Sequence, residues 1–154
     1  MNEKRFSRLK ETLKTGGLNE KLSALEELKE EDSAKVNNLL LTLLSSESWT
    51  LRNRVCEILA ERGEKLGDRL INILNTGVWY SRAAAARTLG LIGKISYIPE
   101  LLKYKDDSNE VVREEVRNAI KNIVEKNEFN RIQEEFDLDT QEMVREIAGI
   151  EYEY

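Results

Sequence analysis

The sequence contains no histidine, and its 154 residues include one cysteine, Cys56, and one proline, Pro99. Without histidine the chain cannot build a His-ligated metal site, a Ser-His-Asp triad or imidazole acid–base chemistry. A single cysteine excludes an intramolecular disulfide and is typical of a reducing compartment. No run approaches the roughly 20 apolar residues of a membrane-spanning helix, and the N-terminus has no apolar signal core. These absences predict a cytoplasmic protein with no membrane segment, no metal and no cofactor.

The residues that are abundant favour helices. Leucine, glutamate, lysine, arginine and alanine fill the chain, and the eight glycines lie mostly between periodic segments. No long stretch alternates apolar and polar residues as a half-buried strand does. The composition and length therefore predict one all-α domain over residues 1–154.

Apolar spacing and turn residues predict ten helices. The segment 83–92 is apolar on every side, so we expect it to be a buried central helix. Capping boxes are predicted at Asp107 with Glu110 and at Asp139 with Glu142, and the tail 151–154 is too polar to order itself. The predicted helices lie at about 2–14, 19–30, 34–44, 49–62, 64–75, 79–93, 95–102, 108–125, 128–136 and 139–147.

Aligning these helices reveals a period of about 30 residues. Basic residues recur at intervals of 31, 30 and 31, and two apolar columns keep the same spacing. A helix pair of this length buries its apolar face only against its neighbours, which is the arrangement of a solenoid. The three columns are Lys21, Arg52, Arg82, Arg113; Ala24, Val55, Ala85, Val116; and Leu28, Leu59, Leu89, Ile120.

One copy, residues 81–93, reads Ser-Arg-Ala-Ala-Ala-Ala-Arg-Thr-Leu-Gly-Leu-Ile-Gly, and another, 112–120, reads Val-Arg-Glu-Glu-Val-Arg-Asn-Ala-Ile. These segments resemble HEAT-like repeats, in the short form of prokaryotic phycobilisome-lyase-like proteins. The resemblance covers about residues 18–125. It implies a right-handed α-α superhelix of about five helix pairs, with a cap helix at 1–17 and cap helices and a tail at 126–154. The copy at Lys21 is degenerate, and the turn aspartate is missing before Arg52 and Arg82.

In such repeats the second helices line a concave surface, so the aromatic and arginine side chains on them are the candidate binding residues. Tryptophan, tyrosine and arginine are the usual anchors of protein interfaces. This pattern predicts a noncatalytic scaffold or adaptor that binds a protein or peptide, with no catalytic or metal-binding residue. The candidates are Trp49, Arg52, Trp79, Tyr80, Arg82, Arg87, Arg113 and Arg117.

Several features have two interpretations. The arginine column either contacts a ligand or bridges the turns of neighbouring repeats. Trp49 and Trp79 either form shelves with Arg52 and Arg82 or fill gaps between repeats. A weaker likeness to alkylpurine DNA glycosylases on this scaffold, or lyase-type chromophore handling, leaves an enzyme or a nucleic-acid-binding protein as the alternative. The pI of about 5.1 and the lack of an aspartate on the inner helices disfavour DNA binding.

The ends of the chain carry opposite charge. Residues 1–15 have a net charge of +3 and residues 125–154 a net charge of −7, within a total of −5. Such charge usually faces water, and head-to-tail self-association is the alternative. The sequence therefore predicts a monomer or a weak homo-oligomer. Cys56, which has no histidine partner, is expected to be a buried structural residue rather than a nucleophile.

Overall fold

A computed structural model describes residues 1–150; the polar tail, for which the sequence predicts no order, lies outside them. The described residues form ten α-helices and three short 3-10 turns, with no strand among them. The turns are Leu43–Ser45, Glu64–Leu66 and Ile95–Tyr97. The helices are α1 (Glu3–Thr15), α2 (Leu18–Lys29), α3 (Ala34–Thr42), α4 (Trp49–Arg62), α5 (Gly67–Thr76), α6 (Trp79–Ile92), α7 (Ile98–Leu102), α8 (Glu110–Lys126), α9 (Phe129–Glu135) and α10 (Leu138–Ala148).

The helices pack as five successive pairs, from α1–α2 to α9–α10. The second helix of each pair also packs directly on the second helix of the next, so that α2, α4, α6, α8 and α10 form a continuous row. Each pair thus covers its apolar face with its neighbours, as the 30-residue period predicts. The all-α, solenoid fold class is confirmed.

Helix α6 lies in the middle of this row and contacts α4, α5 and α8. Its alanines, 83–86, are buried, as are Thr88 and Leu89, so the prediction of a buried central helix is confirmed. The backbones of α6 and α8 approach closely at Gly90, where a Cβ atom would lie 2.6 Å from Ala119 Cα. Because no other residue is small enough, glycine at this position lets α8 press against α6.

The predicted capping box at Asp107 is wrong. The N-cap of α8 is Asn109, whose side-chain oxygen accepts hydrogen bonds from the amides of Val111 (2.9 Å) and Val112 (3.1 Å). Asp107 instead accepts from the Asn109 amide (2.9 Å) and from Arg82. Asparagine caps a helix as well as aspartate does, and the arginine holds the carboxylate two residues before the helix begins.

The predicted cap of α10 is also displaced, from Asp139 to Asp137. Asp137 accepts a hydrogen bond of 2.8 Å from the Thr140 amide, and the helix begins at Leu138. Both aspartates are good caps by residue type. Val144 and Ile147 of this helix are buried.

Two other helices begin with residues that suit a first turn. Ser33 caps α3 by accepting from the Val36 amide at 3.3 Å, and Pro99 lies in the first turn of α7. Both residues suit these positions, because serine supplies an acceptor to the first turn and proline has no amide hydrogen to lose there. None of the helices within residues 1–150 combines the length and the apolar character needed to cross a bilayer.

Candidate functional site

A groove of about 350 Å³ opens on the row of second helices, between α4, α6 and α8. Most of its wall comes from the first two to three turns of α4 and α6, and the remainder comes from α8. It brings together five of the eight candidate residues: Trp49, Arg52, Trp79, Tyr80 and Arg87. The other lining residues are Asn53, Cys56, Ala83, Ala84, Val111 and Glu115.

Two tryptophans form the mouth of the groove. Trp49 begins α4 and is 70% exposed, and Trp79 begins α6 and is 44% exposed. The Trp79 ring meets the Tyr80 ring edge to face, with centroids 5.4 Å apart. These indoles do not fill gaps between repeats, because a gap-filling side chain is buried. They present apolar surface to solvent on both sides of the groove.

The arginines stack on tyrosines of the following repeat rather than on the tryptophans three residues before them. The Arg52 guanidinium lies 5.1 Å from the Tyr80 ring centroid, and the Arg82 guanidinium lies 5.9 Å from that of Tyr104. Arg52 also donates to the Ser46 carbonyl at 2.7 Å, which holds its side chain across the groove wall. Within residues 1–150, the rings on which Arg52 and Arg82 stack are thus tyrosines and not the tryptophans of the shelf interpretation.

Arg87 differs from the other arginines of the groove. Its Nε is buried and has no hydrogen-bond partner within residues 1–150. No carboxylate of these residues lies within salt-bridge distance of its guanidinium. The carboxylate that shares the groove is Glu115. Burial raises the pKa of Glu115 above its usual range, and the positive charge of Arg87 opposes that rise.

The groove floor contains a thiol. Cys56 is 1% exposed, and its Sγ donates to the Ala84 carbonyl at 3.4 Å. Burial raises the pKa of this thiol to about 11, although Thr88 and Arg87 act against the rise. A neutral, buried thiol is a poor nucleophile. The prediction of a buried cysteine is confirmed. Cys56 packs between α4 and α6.

The groove continues as a wider, polar depression of about 640 Å³ along α6 and α8. Arg87 and Glu115 line both spaces, so they lie where the aromatic end meets the polar end. The whole concavity thus has an apolar mouth, a charged centre and a polar extension. The depression is lined by Arg87, Leu91, Glu115, Asn118, Ala119, Lys121, Asn122 and Glu125.

The model of the HEAT repeats family matches residues 36–121, which is more than half of the chain. This chain belongs to the HEAT-repeat family. The match runs from α3 into α8 and includes every residue of the groove. No curated protein matches the chain. The outer helix pairs lie beyond the matched segment, as terminal repeats with a solvent-facing side commonly depart from the repeat pattern.

Three candidate arginines of the HEAT repeats lie away from the groove and brace the segment between α7 and α8. Arg82 donates to the Asp107 carboxylate at 2.6 Å, Arg113 donates to the Asp107 carbonyl at 2.7 Å, and Arg117 donates to the Lys105 carbonyl at 3.0 Å. The hydrogen bond from Arg82 holds the pKa of Asp107 below its usual range. Their hydrogen-bonding capacity is therefore directed to the turn rather than to the concave surface.

The α8 wall of the groove is where the sequence is least informative. The sequence nominates Arg113 and Arg117 on this helix, whereas the structure turns Val111 and Glu115 into the concavity. A signal for this face exists, because residues 111, 115, 118 and 122 recur at intervals of 4, 3 and 4 and all line the groove or its extension. The alignment of arginines across repeats draws attention to the opposite face.

The side chains that line the groove are mainly aromatic, aliphatic and basic. The groove contains one thiol that burial keeps neutral and one carboxylate at its centre. Residues 1–150 contain no group of three or more cysteine, aspartate and glutamate side chains arranged to hold a metal ion. The groups that the groove offers to a ligand are aromatic rings and guanidiniums.

Proposed function

We propose that this HEAT-repeat chain is a noncatalytic scaffold or adaptor that holds a peptide segment of a partner protein in the groove between α4, α6 and α8. The observation that carries the proposal is the exposure of Trp49 and Trp79 beside Arg87, which has no hydrogen-bond or salt-bridge partner within residues 1–150. HEAT repeats generally mediate protein–protein interactions. The groove lies within the matched repeats, on the row of second helices.

Exposed apolar side chains that cluster around a concavity favour a binding role. A tryptophan at the surface gains free energy when a partner covers it, and tryptophan, tyrosine and arginine dominate the energetics of interfaces. The wall is made of helices, so it is already ordered before a ligand arrives, which lowers the entropy cost of binding.

Nucleic acid binding is less favoured by the same arrangement. Three of the five candidate arginines are hydrogen-bonded to the segment before α8, and the chain carries a net charge of −5. Affinity for a nucleic acid backbone requires several clustered cations. The groove instead offers two arginines, one glutamate and three aromatic rings.

The test is selection from a phage-displayed library of random 12-residue peptides on the immobilised chain. Wild type is compared with the variant Trp49→Ala/Trp79→Ala, and Leu138→Ala is the control. Leu138 is 79% exposed at the first position of α10, equivalent to the two tryptophans but outside the groove. We expect enriched peptides that bind wild type and Leu138→Ala alike, with at least about a tenfold loss in the double variant.

Helicity measured by circular dichroism should be the same in all three proteins, because neither indole is packed in the core. The proposal fails if no peptide is enriched, or if the enriched peptides bind the double tryptophan variant as tightly as wild type.

A further inference from the structure

We infer that the peptide held in the groove presents an aspartate or glutamate carboxylate to Arg87, next to an apolar side chain that packs on the tryptophans. This inference deepens the proposed function and rests on it. It concerns the chemistry of the partner at the charged centre of the groove, where Arg87 and Glu115 lie.

The first argument is the hydrogen-bonding state of the arginines. Arg82, Arg113 and Arg117 each have a carboxylate or carbonyl acceptor in the turn before α8, and Arg52 has the Ser46 carbonyl. Arg87 has none within residues 1–150, and its Nε is shielded from water. A buried donor without an acceptor is costly. A planar carboxylate is the acceptor that fits a guanidinium best, because it takes two parallel hydrogen bonds.

The second argument is the charge of the groove. Arg52 and Arg87 contribute two positive charges and Glu115 one negative charge. Even with Glu115 ionised, these groove residues carry a net positive charge, although the net charge of the whole chain is −5. An acidic segment complements this charge, and a basic segment does not.

The third argument is the neighbourhood of the two guanidiniums. Arg52 is held by the Ser46 carbonyl and by the Tyr80 ring, so it offers a fixed positive charge rather than a free fork. Trp79 and Tyr80 lie on the same wall, about two turns before Arg87 on α6. Since residues on one helical wall are a few ångströms apart per turn, one short segment reaches the rings and the guanidinium together.

The experiment uses the peptide that wild type enriches most strongly from the random 12-residue library. Its acidic residue is changed to the corresponding amide, and both peptides are titrated by calorimetry into wild type, Arg87→Gln and Arg87→Lys. Arg69→Gln is the control, because Arg69 is an exposed residue of α5 outside the groove. Arg87→Lys retains the charge and packing length where Arg87→Gln disturbs folding.

We expect the selected peptides to contain an acidic residue near an aromatic or aliphatic one. Amidation of that residue should weaken binding to wild type by about tenfold or more, as loss of a charged hydrogen bond does. Arg87→Gln should show the same loss with the acidic peptide and no further loss with the amide. Arg87→Lys should fall between the two, and Arg69→Gln should match wild type.

The outcomes separate this inference from the proposed function. Tight peptides without an acidic residue, or equal binding of acid and amide, overturn the inference while the groove remains a peptide site. Peptides that are insensitive to Trp49→Ala/Trp79→Ala overturn both. A 20-nucleotide single strand of DNA that binds more tightly than any peptide, with an affinity that falls steeply with salt, overturns both in favour of nucleic acid.

Discussion

Two arginines on one helix show how surroundings determine the role of a side chain. Arg82 and Arg87 are five positions apart on α6. Arg82 donates to the Asp107 carboxylate and ties α6 to the turn of the next repeat, whereas Arg87 lies in the groove with no acceptor in the described part of the chain. The first is held in place by its own protein. The second is available to a ligand, and the binding proposal depends on it.

Because of Cys56, the stability of the protein should fall as the pH rises into the alkaline range. The pKa of this thiol is 9.0 ordinarily and about 11 in the folded chain, because the site is buried. Between these values the unfolded chain loses the proton more readily than the folded chain. The free energy of unfolding should therefore fall between pH 9 and 11 by on the order of 2 kcal/mol. Urea unfolding at intervals across this range measures the loss.

Cys56→Ala is the matched comparison, since it removes the thiol and leaves the tyrosines and lysines that also titrate. The alanine variant should be less stable than wild type at pH 8 and lose less stability above pH 9. Parallel pH profiles for the two proteins would show that the thiol has the same pKa folded and unfolded.

At the scale of single residues, the sequence predicts neighbours on one helix better than contacts between residues of different helices. Four of the candidate residues lie on α6, and the groove contains Trp79, Tyr80 and Arg87 but not Arg82. Glu115 was not nominated, because its place in the groove depends on how α8 rotates against α6. For Arg82 the sequence offers the bridge to a neighbouring repeat as one of two interpretations, and the structure shows that bridge, with Asp107, 25 residues later, as the acceptor.

Helices α6 and α8 pack closely at a pair of small residues. Gly90 faces Ala119, and a Cβ atom on the glycine would approach the Ala119 Cα to 2.6 Å and its Cβ to 2.7 Å. The obstacle includes backbone, which cannot rotate away as the end of a flexible side chain can. The small residues at these two positions allow the two helices that wall the groove to pack closely.

Gly90→Ala should destabilise the protein although alanine is the better helix former. The gain in helix propensity is about 1 kcal/mol, and the forced separation of α6 from α8 costs about 1–3 kcal/mol. We expect a net loss, measured as a lower midpoint in urea. Asn118→Ala, an exposed position on α8, adds the same residue without an overlap and should leave stability unchanged or raise it. A Gly90→Ala protein as stable as wild type would mean that α8 moves away freely.

Helix ends illustrate what the repeat pattern conceals. Arg62, at the end of α4, donates to the carbonyls of Lys29 (3.1 Å) and Glu31 (2.8 Å) where α2 ends. Asn127, just after α8, donates to the Gly93 carbonyl at 2.9 Å, where α6 ends. These bonds satisfy carbonyls that have no partner within their own helix. Apolar periodicity located the helices to within a few residues, but it carries no information about caps supplied from another repeat.

The second helices form a row through the molecule. A helix in the middle of this row has neighbours on both sides, whereas a helix at either end does not. Helix α6 contacts three other helices, whereas α1 packs mainly on α2 and α10 mainly on α8 and α9. In a solenoid, stability is the sum of repeat and interface contributions.

The basic charge of residues 1–15 is partly paired within the chain, because Arg5 and Arg8 both approach Glu27. Head-to-tail association through the acidic end stays a prediction.

Amide hydrogen exchange should therefore be slowest in the centre. We expect protection to peak in α6 and the facing part of α8, and to fall towards α1 and α10, because local opening of an end breaks one interface and opening of the centre breaks several. Exchange followed by peptide mass spectrometry measures this profile. Equal protection of α10 and α6 would show that the chain opens as one unit.

The positions of the two tryptophans have an optical consequence. The chain has two tryptophans, Trp49 and Trp79, and both stand at the mouth of the groove. Fluorescence excited at the red edge of indole absorption thus arises from the starts of α4 and α6, while the end helices emit nothing. Far-ultraviolet circular dichroism, by contrast, sums all ten helices. A heating curve recorded by both signals separates the melting of the ends from the loss of the groove, and no dye has to be attached.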